Sequence, residues 1–147
     1  MNILVVDGQG GGVGKSLITR LKKVLPGAQI IAVGTNSIAA SVMKKAGADI
    51  VATGENAVRV NSRKADIITG PVGIVAADAL YGEITPEMAA AVAGSDALKV
   101  LIPFNNCGIF IAGCTEHSAG EFLEMAVEKI VEIAAKESFF LKKMEKN

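Results

Sequence analysis

Short apolar runs rich in Val and Ile recur along the chain, at Ile3 to Val6, Ala28 to Val33, Asp49 to Thr53, Asp66 to Thr69 and Lys99 to Phe104, with helical spacing between them. Strands of that length alternating with helices predict βαβ units and a parallel sheet covered on both faces. The punctuation agrees. A first helix is expected from about Lys15 to Leu25, stopped by Pro26-Gly27, and a second from Ser37 to Ala46, with Asn36 as N-cap and Gly47 just past its end. Thr85-Pro86-Glu87 reads as a further helix start, with a hydroxyl cap, proline at the first helical position and an acid in the first turn; Gly94 closes that helix.

From Ser118 to Ser138 the apolar set Phe122, Ala126, Ile130 and Ile133 forms a stripe opposite Glu124, Glu128 and Glu132, the pattern of a helix lying on a sheet. Beyond it, Phe139-Phe140-Leu141 and Lys142-Lys143 read equally as a docking segment or a frayed end. Between Phe104 and Ile109-Phe110-Ile111-Ala112 lie only four residues, too few for a parallel crossover, so the last strand is expected to be antiparallel. The pattern predicts one domain over 1–147, a Rossmann-like three-layer α/β sandwich, mostly parallel with an antiparallel edge strand.

Composition narrows the partners. Fifteen Lys and Arg balance fifteen Asp and Glu over 147 residues, leaving no stripe that would neutralise phosphates, so nucleic acid and anionic membrane surfaces are not expected partners. Apolar runs fall short of the roughly 18 residues of a membrane helix, and the chain enters Asn2-Ile3-Leu4 without a charged leader, which predicts a cytoplasmic protein with no membrane partner. Cys107 and Cys114 are then expected as thiols. A mean hydropathy of +0.42 is high for a small monomer and predicts apolar surface buried in a homo-oligomer, a dimer or tetramer.

The first strand empties into Asp7-Gly8-Gln9-Gly10-Gly11-Gly12-Val13-Gly14-Lys15-Ser16 and then a helix. Five glycines in seven residues at a strand-to-helix turn let the backbone approach a ligand and aim N–H groups at it, beside the positive end of the helix dipole. That chemistry suits a phosphate. Gly8, Gly12 and Gly14 have the spacing G-x-x-x-G-x-G, which resembles the cofactor loop of short-chain dehydrogenases, with Asp7 where that family usually has Thr. The ending Gly11-Gly12-Val13-Gly14-Lys15-Ser16 resembles the P-loop of ParA/MinD-type ATPases, though Gln9 and Gly10 depart from its two forms.

The strand exits offer Glu55 as their one acid, whereas a P-loop enzyme usually holds Mg²⁺ with a carboxylate there. The balance favours an NAD(P)-type cofactor, with ATP or GTP and Mg²⁺ as the alternative. For NAD the second strand usually ends in Asp or Glu; here it ends in Gly34-Thr35-Asn36-Ser37, whose hydroxyl and amide donors leave NADP, a flavin or a mononucleotide open. The expected cofactor-binding set is Gly8, Gln9, Gly10, Gly11, Gly12, Val13, Gly14, Lys15 and Ser16, with Thr35, Asn36 and Ser37, and with Gly70 and Pro71 as a second close approach.

Candidates for chemistry are Glu55, Asn105, Asn106 and Cys107, all at expected strand exits on the glycine-loop side. Arg59, Arg63 and Lys64, in the connection before the fourth strand, could receive an anion or simply be solvated. No metal site is expected: His117 lacks companions and reads as an exposed structural residue. Tyr81 is followed four residues later by Thr85, so the Tyr-x-x-x-Lys pair of short-chain dehydrogenases is missing.

The combination Val5-Val6-Asp7-Gly8-Gln9-Gly10-Gly11-Gly12, Ala52-Thr53-Gly54-Glu55-Asn56-Ala57, Gly82-Glu83-Ile84-Thr85-Pro86 and Leu101-Ile102-Pro103-Phe104-Asn105 resembles a small bacterial family defined as a domain of unknown function, from residue 2 to about 135. The resemblance implies a stand-alone, single-domain protein of anaerobic bacteria and brings no activity with it. Three functions stay open: a cofactor-handling protein or enzyme, a P-loop-like hydrolase or kinase using Lys15 and Ser16, and a non-catalytic nucleotide sensor.

Overall fold

The computed structural model describes residues 1–104, 108–114 and 117–144, the side chains of 139–143 excepted. Strands β1 (Asn2–Asp7), β2 (Gln29–Gly34), β3 (Ile50–Thr53), β4 (Ile67–Pro71) and β5 (Leu98–Ile102) form one sheet in the order β3-β2-β1-β4-β5. Every pairing is parallel, with Leu4 opposite Ile31 on one side and Ile68 on the other. This is the doubly wound arrangement, and β1 and β4 flank the point where the strand order reverses.

The near-continuous apolar character of β1 follows from its central place. Ile3 and Val5 point to one face, with Leu17, Ile18 and Leu21 of α1 (Gly12–Val24), Met43 of α2 (Ser37–Lys45) and Leu123, Val127 and Ile130 of α5 (Ala119–Met144). Leu4 and Val6 point to the other, with Val58 of α3 (Glu55–Ser62) and Met88 and Val92 of α4 (Pro86–Ala93). Each such side chain contributes roughly 1.5–3 kcal/mol on burial, so both faces must be covered for the sheet to persist. The Asn36 side chain accepts from Ala39 N–H and Thr85 Oγ1 from Met88 N–H, the two caps that the sequence predicts.

Three expectations are corrected. Among the described residues no antiparallel edge strand forms: Ile109 to Ala112 stand outside the sheet, and Phe110 is 72% exposed. Pro103, just past β5, lacks the N–H a hairpin ladder would use, and the uniformly apolar Ile109-Phe110-Ile111-Ala112 has no polar face for an open edge. Arg59 is not in a connection but on α3, with Arg63 as its C-cap; Val58, Val60 and Asn61 weaken its helical signal. The last helix continues past the expected Ser138 to Met144.

Candidate functional site

The glycine loop leaves the carboxyl end of β1 at the switch point. There Asp7, Gly8, Gln9, Gly10, Gly11, Gly12 and Val13 border a cavity of ≈ 180 Å³, lined on the β4 side by Pro71, Gly73, Leu80 and Phe104. Below the roughly 300–1,000 Å³ of a complete ligand pocket, this volume fits part of a ligand such as a phosphate with an attached sugar. Asp7 is its one titratable lining group among the described residues.

Most of the loop's amides already have acceptors. Asp7 is 4% exposed, and its Oδ1 accepts from Gly8 N–H at 2.8 Å while Oδ2 accepts from Gly14 N–H at 2.7 Å. Burial pushes the Asp7 carboxyl above its ordinary range; amides of Gly14, Gly8 and Val13 pull it down without cancelling that rise, and the Glu83 charge adds to it. Gly11 N–H donates to the Gly8 carbonyl at 2.9 Å and Lys15 N–H to the Gly11 carbonyl at 2.9 Å. Among the described residues, only Gly10 and Gly12 in the span Gly8 to Lys15 have N–H groups without an internal acceptor.

The same two residues stand apart sterically. A Cβ at Gly8 would lie 2.6 Å from Thr35 Oγ1 at the β2 exit, at Gly11 2.9 Å from Ala39 Cα, and at Gly14 2.4 Å from Met43 Sδ, so these glycines serve internal packing, the last two that of α1 against α2. At Gly10 and Gly12 nothing lies within 4 Å. Neither has the positive φ that would demand glycine, in contrast to Gly11 at 73°.

A second carboxylate, unforeseen in the sequence, lies across the loop. Glu83 accepts from Gln9 N–H at 3.2 Å and from the Gln9 side-chain amide; its Oε1 also accepts from Thr35 Oγ1 at 2.8 Å and Asn36 Nδ2 at 2.7 Å. Burial acts to raise its carboxyl, but the donors Asn36, Thr35 and Gln9 outweigh it and hold the group below the ordinary glutamate value. Residues 76–84 deliver it, through a bend in which Asp78, Leu80 and Tyr81 all take positive φ, at 64°, 55° and 56°. The local signal, an acid between Gly82 and the Thr85 cap, says nothing about reaching β2 some 48 residues away.

The remaining expected residues fall as follows. Lys15 is exposed and Ser16 half-buried on α1, and neither borders the cavity. Thr35 and Asn36 sit at the β2 exit against Glu83, while Ser37 is exposed. Pro71 lines the cavity; Gly70 lies behind it, where a Cβ would come 2.1 Å from the Val6 carbonyl oxygen, so its close approach is to β1. Glu55 accepts from Thr85 Oγ1 at 2.7 Å, tying the starts of α3 and α4 together outside the cavity. Arg59 and Arg63 border a separate groove with Ala90, Ala91, Gly94 and Ser95. His117 stands 4.0 Å from Glu121 and edge-on to Phe122. Cys114 is a free thiol. Asn105, Asn106 and Cys107 lie outside the described residues.

Among the described residues no cluster of three metal-ligating side chains occurs, and no helix is long and apolar enough to cross a membrane. A family profile defined as a domain of unknown function, DUF3842, matches residues 2–135. The chain belongs to this DUF3842 family. No curated protein and no solved structure matches it. The DUF3842 match therefore spans every strand and the glycine loop, but the chemistry has to be read from the geometry.

Proposed function

We propose that the protein binds a nucleotide, an NAD(P)-type cofactor, with a phosphate seated on the Gly10 and Gly12 amides. The observation that carries this reading is the coincidence of three properties at those two residues. They border the cavity at the switch point, their N–H groups lack an internal acceptor among the described residues, and no neighbour explains the missing side chains. Free amides beside the start of α1 favour an anion, and absent side chains let it come close. The Asp7 and Glu83 carboxylates limit the contact to those amides, because the others are already engaged.

Two observations favour this over a P-loop hydrolase. The Lys15 side chain is exposed rather than part of the cavity wall, and the expected Glu55 is held by Thr85. The non-catalytic reading also has specific support: both oxygens of Asp7, the cavity's one titratable group among the described residues, are committed to backbone amides. We therefore place cofactor binding ahead of any reaction.

The test is thermal denaturation with NADH, NADPH, FAD, ATP with Mg²⁺ and GTP with Mg²⁺, on the native chain and on Gly12→Val. A nicotinamide dinucleotide is expected to raise Tm in the native chain, with the rise abolished in a folded Gly12→Val. Stabilisation by ATP only with Mg²⁺, lost in Lys15→Ala, would replace the proposal with the P-loop reading. No stabilisation by any of the five would refute nucleotide binding at this loop.

A further inference from the structure

The sequence leaves β2 without the acid that normally receives the hydroxyls of an unphosphorylated ribose, and offers Thr35 and Asn36 as donors for a 2′-phosphate instead. In the structure both donors are engaged. Thr35 Oγ1 and Asn36 Nδ2 donate inward to Glu83 Oε1, at 2.8 Å and 2.7 Å, and Asn36 Oδ1 is engaged by Ala39 N–H at 2.8 Å. A carboxylate thus stands at the β2 exit after all, delivered from the connection between β4 and α4.

We propose that Glu83 is the specificity-determining residue of the site, accepting from a ribose hydroxyl of NAD-type ligands and excluding a 2′-phosphate. The inference rests on the nucleotide reading given above. Three observations support it independently of that reading. Glu83 is joined to no cation by an ion pair among the described residues, so its charge is not neutralised before a ligand arrives.

Its Oε2 accepts from the backbone N–H of Gln9 at 3.2 Å and from the side-chain amide of that exposed residue. The Gln9 side chain, which also donates to the Leu80 carbonyl, can swing away and leave an acceptor position on Oε2 for a ribose hydroxyl, whereas the half-buried Thr35 and Asn36 keep Oε1 in place. The carboxylate is also rigidly presented. Asp78 N–H donates to the Ile84 carbonyl at 2.8 Å, Ile84 N–H to the Ala79 carbonyl at 3.1 Å, and Ile84 is fully buried. A phosphate dianion brought to this point would meet a fixed negative charge with its best donors already turned away.

The experiment is a pair of calorimetric titrations, NADH and NADPH, on the native chain and on Glu83→Gln. The native chain is expected to bind NADH at least about tenfold more tightly, a difference of ~1.4 kcal/mol. Glu83→Gln, which keeps the shape and removes the charge, is expected to bring the two Kd values within about threefold, by weakening NADH and strengthening NADPH. Equal or tighter binding of NADPH by the native chain overturns the inference without any variant, and leaves the glycine-loop reading intact. An unchanged ratio in a folded Glu83→Gln overturns it as well. If neither dinucleotide binds, the NAD(P) reading and this inference fall together.

Discussion

The two faces of the glycine loop obey different rules. On the inner face Gly8, Gly11 and Gly14 are glycines because Thr35, Ala39 and Met43 occupy the space a methyl would need. On the outer face Gly10 and Gly12 have open space, ordinary φ and unclaimed amides. The same residue type, two positions apart, answers to packing in one case and to nothing within the fold in the other. A glycine-rich motif therefore says little about ligands until its members are sorted by what their missing side chains would strike.

Substitutions break this comparison in a graded way. On the β4 side of the crevice, Gly70→Ala is expected to be the most damaging, at about 3 kcal/mol or more, because the clash is with the Val6 backbone oxygen and cannot be relieved by a rotamer. Gly14→Ala should cost about 1–3 kcal/mol, since the Met43 side chain it strikes is flexible but fully buried. Gly10→Ala and Gly12→Ala should stay within about 0.5 kcal/mol of the native chain. Urea unfolding of the four variants checks the order, and a loss at Gly12 as large as at Gly14 would dissolve the distinction.

Asn36→Ala removes both the α2 cap and a donor to Glu83, and should cost about 1–2 kcal/mol in the same assay. A loss under about 0.5 kcal/mol would mean that the cap is satisfied equally well by water.

The smallest effect sharpens the comparison between the two carboxylates. Glu83 is held below its ordinary value, so the stability it contributes is present above that value and is lost as pH falls through the folded one. Asp7 is raised, so its ionised form opposes folding and its contribution grows as pH falls through the folded value. Between pH 7 and pH 3 the stability of Glu83→Gln should fall less steeply than that of the native chain, and that of Asp7→Asn more steeply. Parallel pH profiles for all three proteins would contradict these assignments.

The fold was legible because local signals agreed with one another. Apolar runs marked the five strands, and Asn36 and Thr85 announced two helices through cap chemistry that needs no tertiary context. The antiparallel edge strand failed because chain proximity alone does not make a ladder when Pro103 and an unalternating apolar run meet an open edge. In the site, the glycine loop could be placed but not partitioned. Which amides are engaged depends on Asp7 folding back over Gly14 and on Glu83 arriving from the far side of β4. Glu55 misled for the converse reason: an acid at a strand exit is no measure of what it faces, and here it faces Thr85.

The buried Asp7 carboxylate has a kinetic consequence. By bonding Gly8 and Gly14 within one chain segment, it braces the turn in its final shape before any guest arrives. Association of the proposed ligand would then demand little ordering of backbone, as a key enters a lock already cut, and encounter rather than refolding would set its pace.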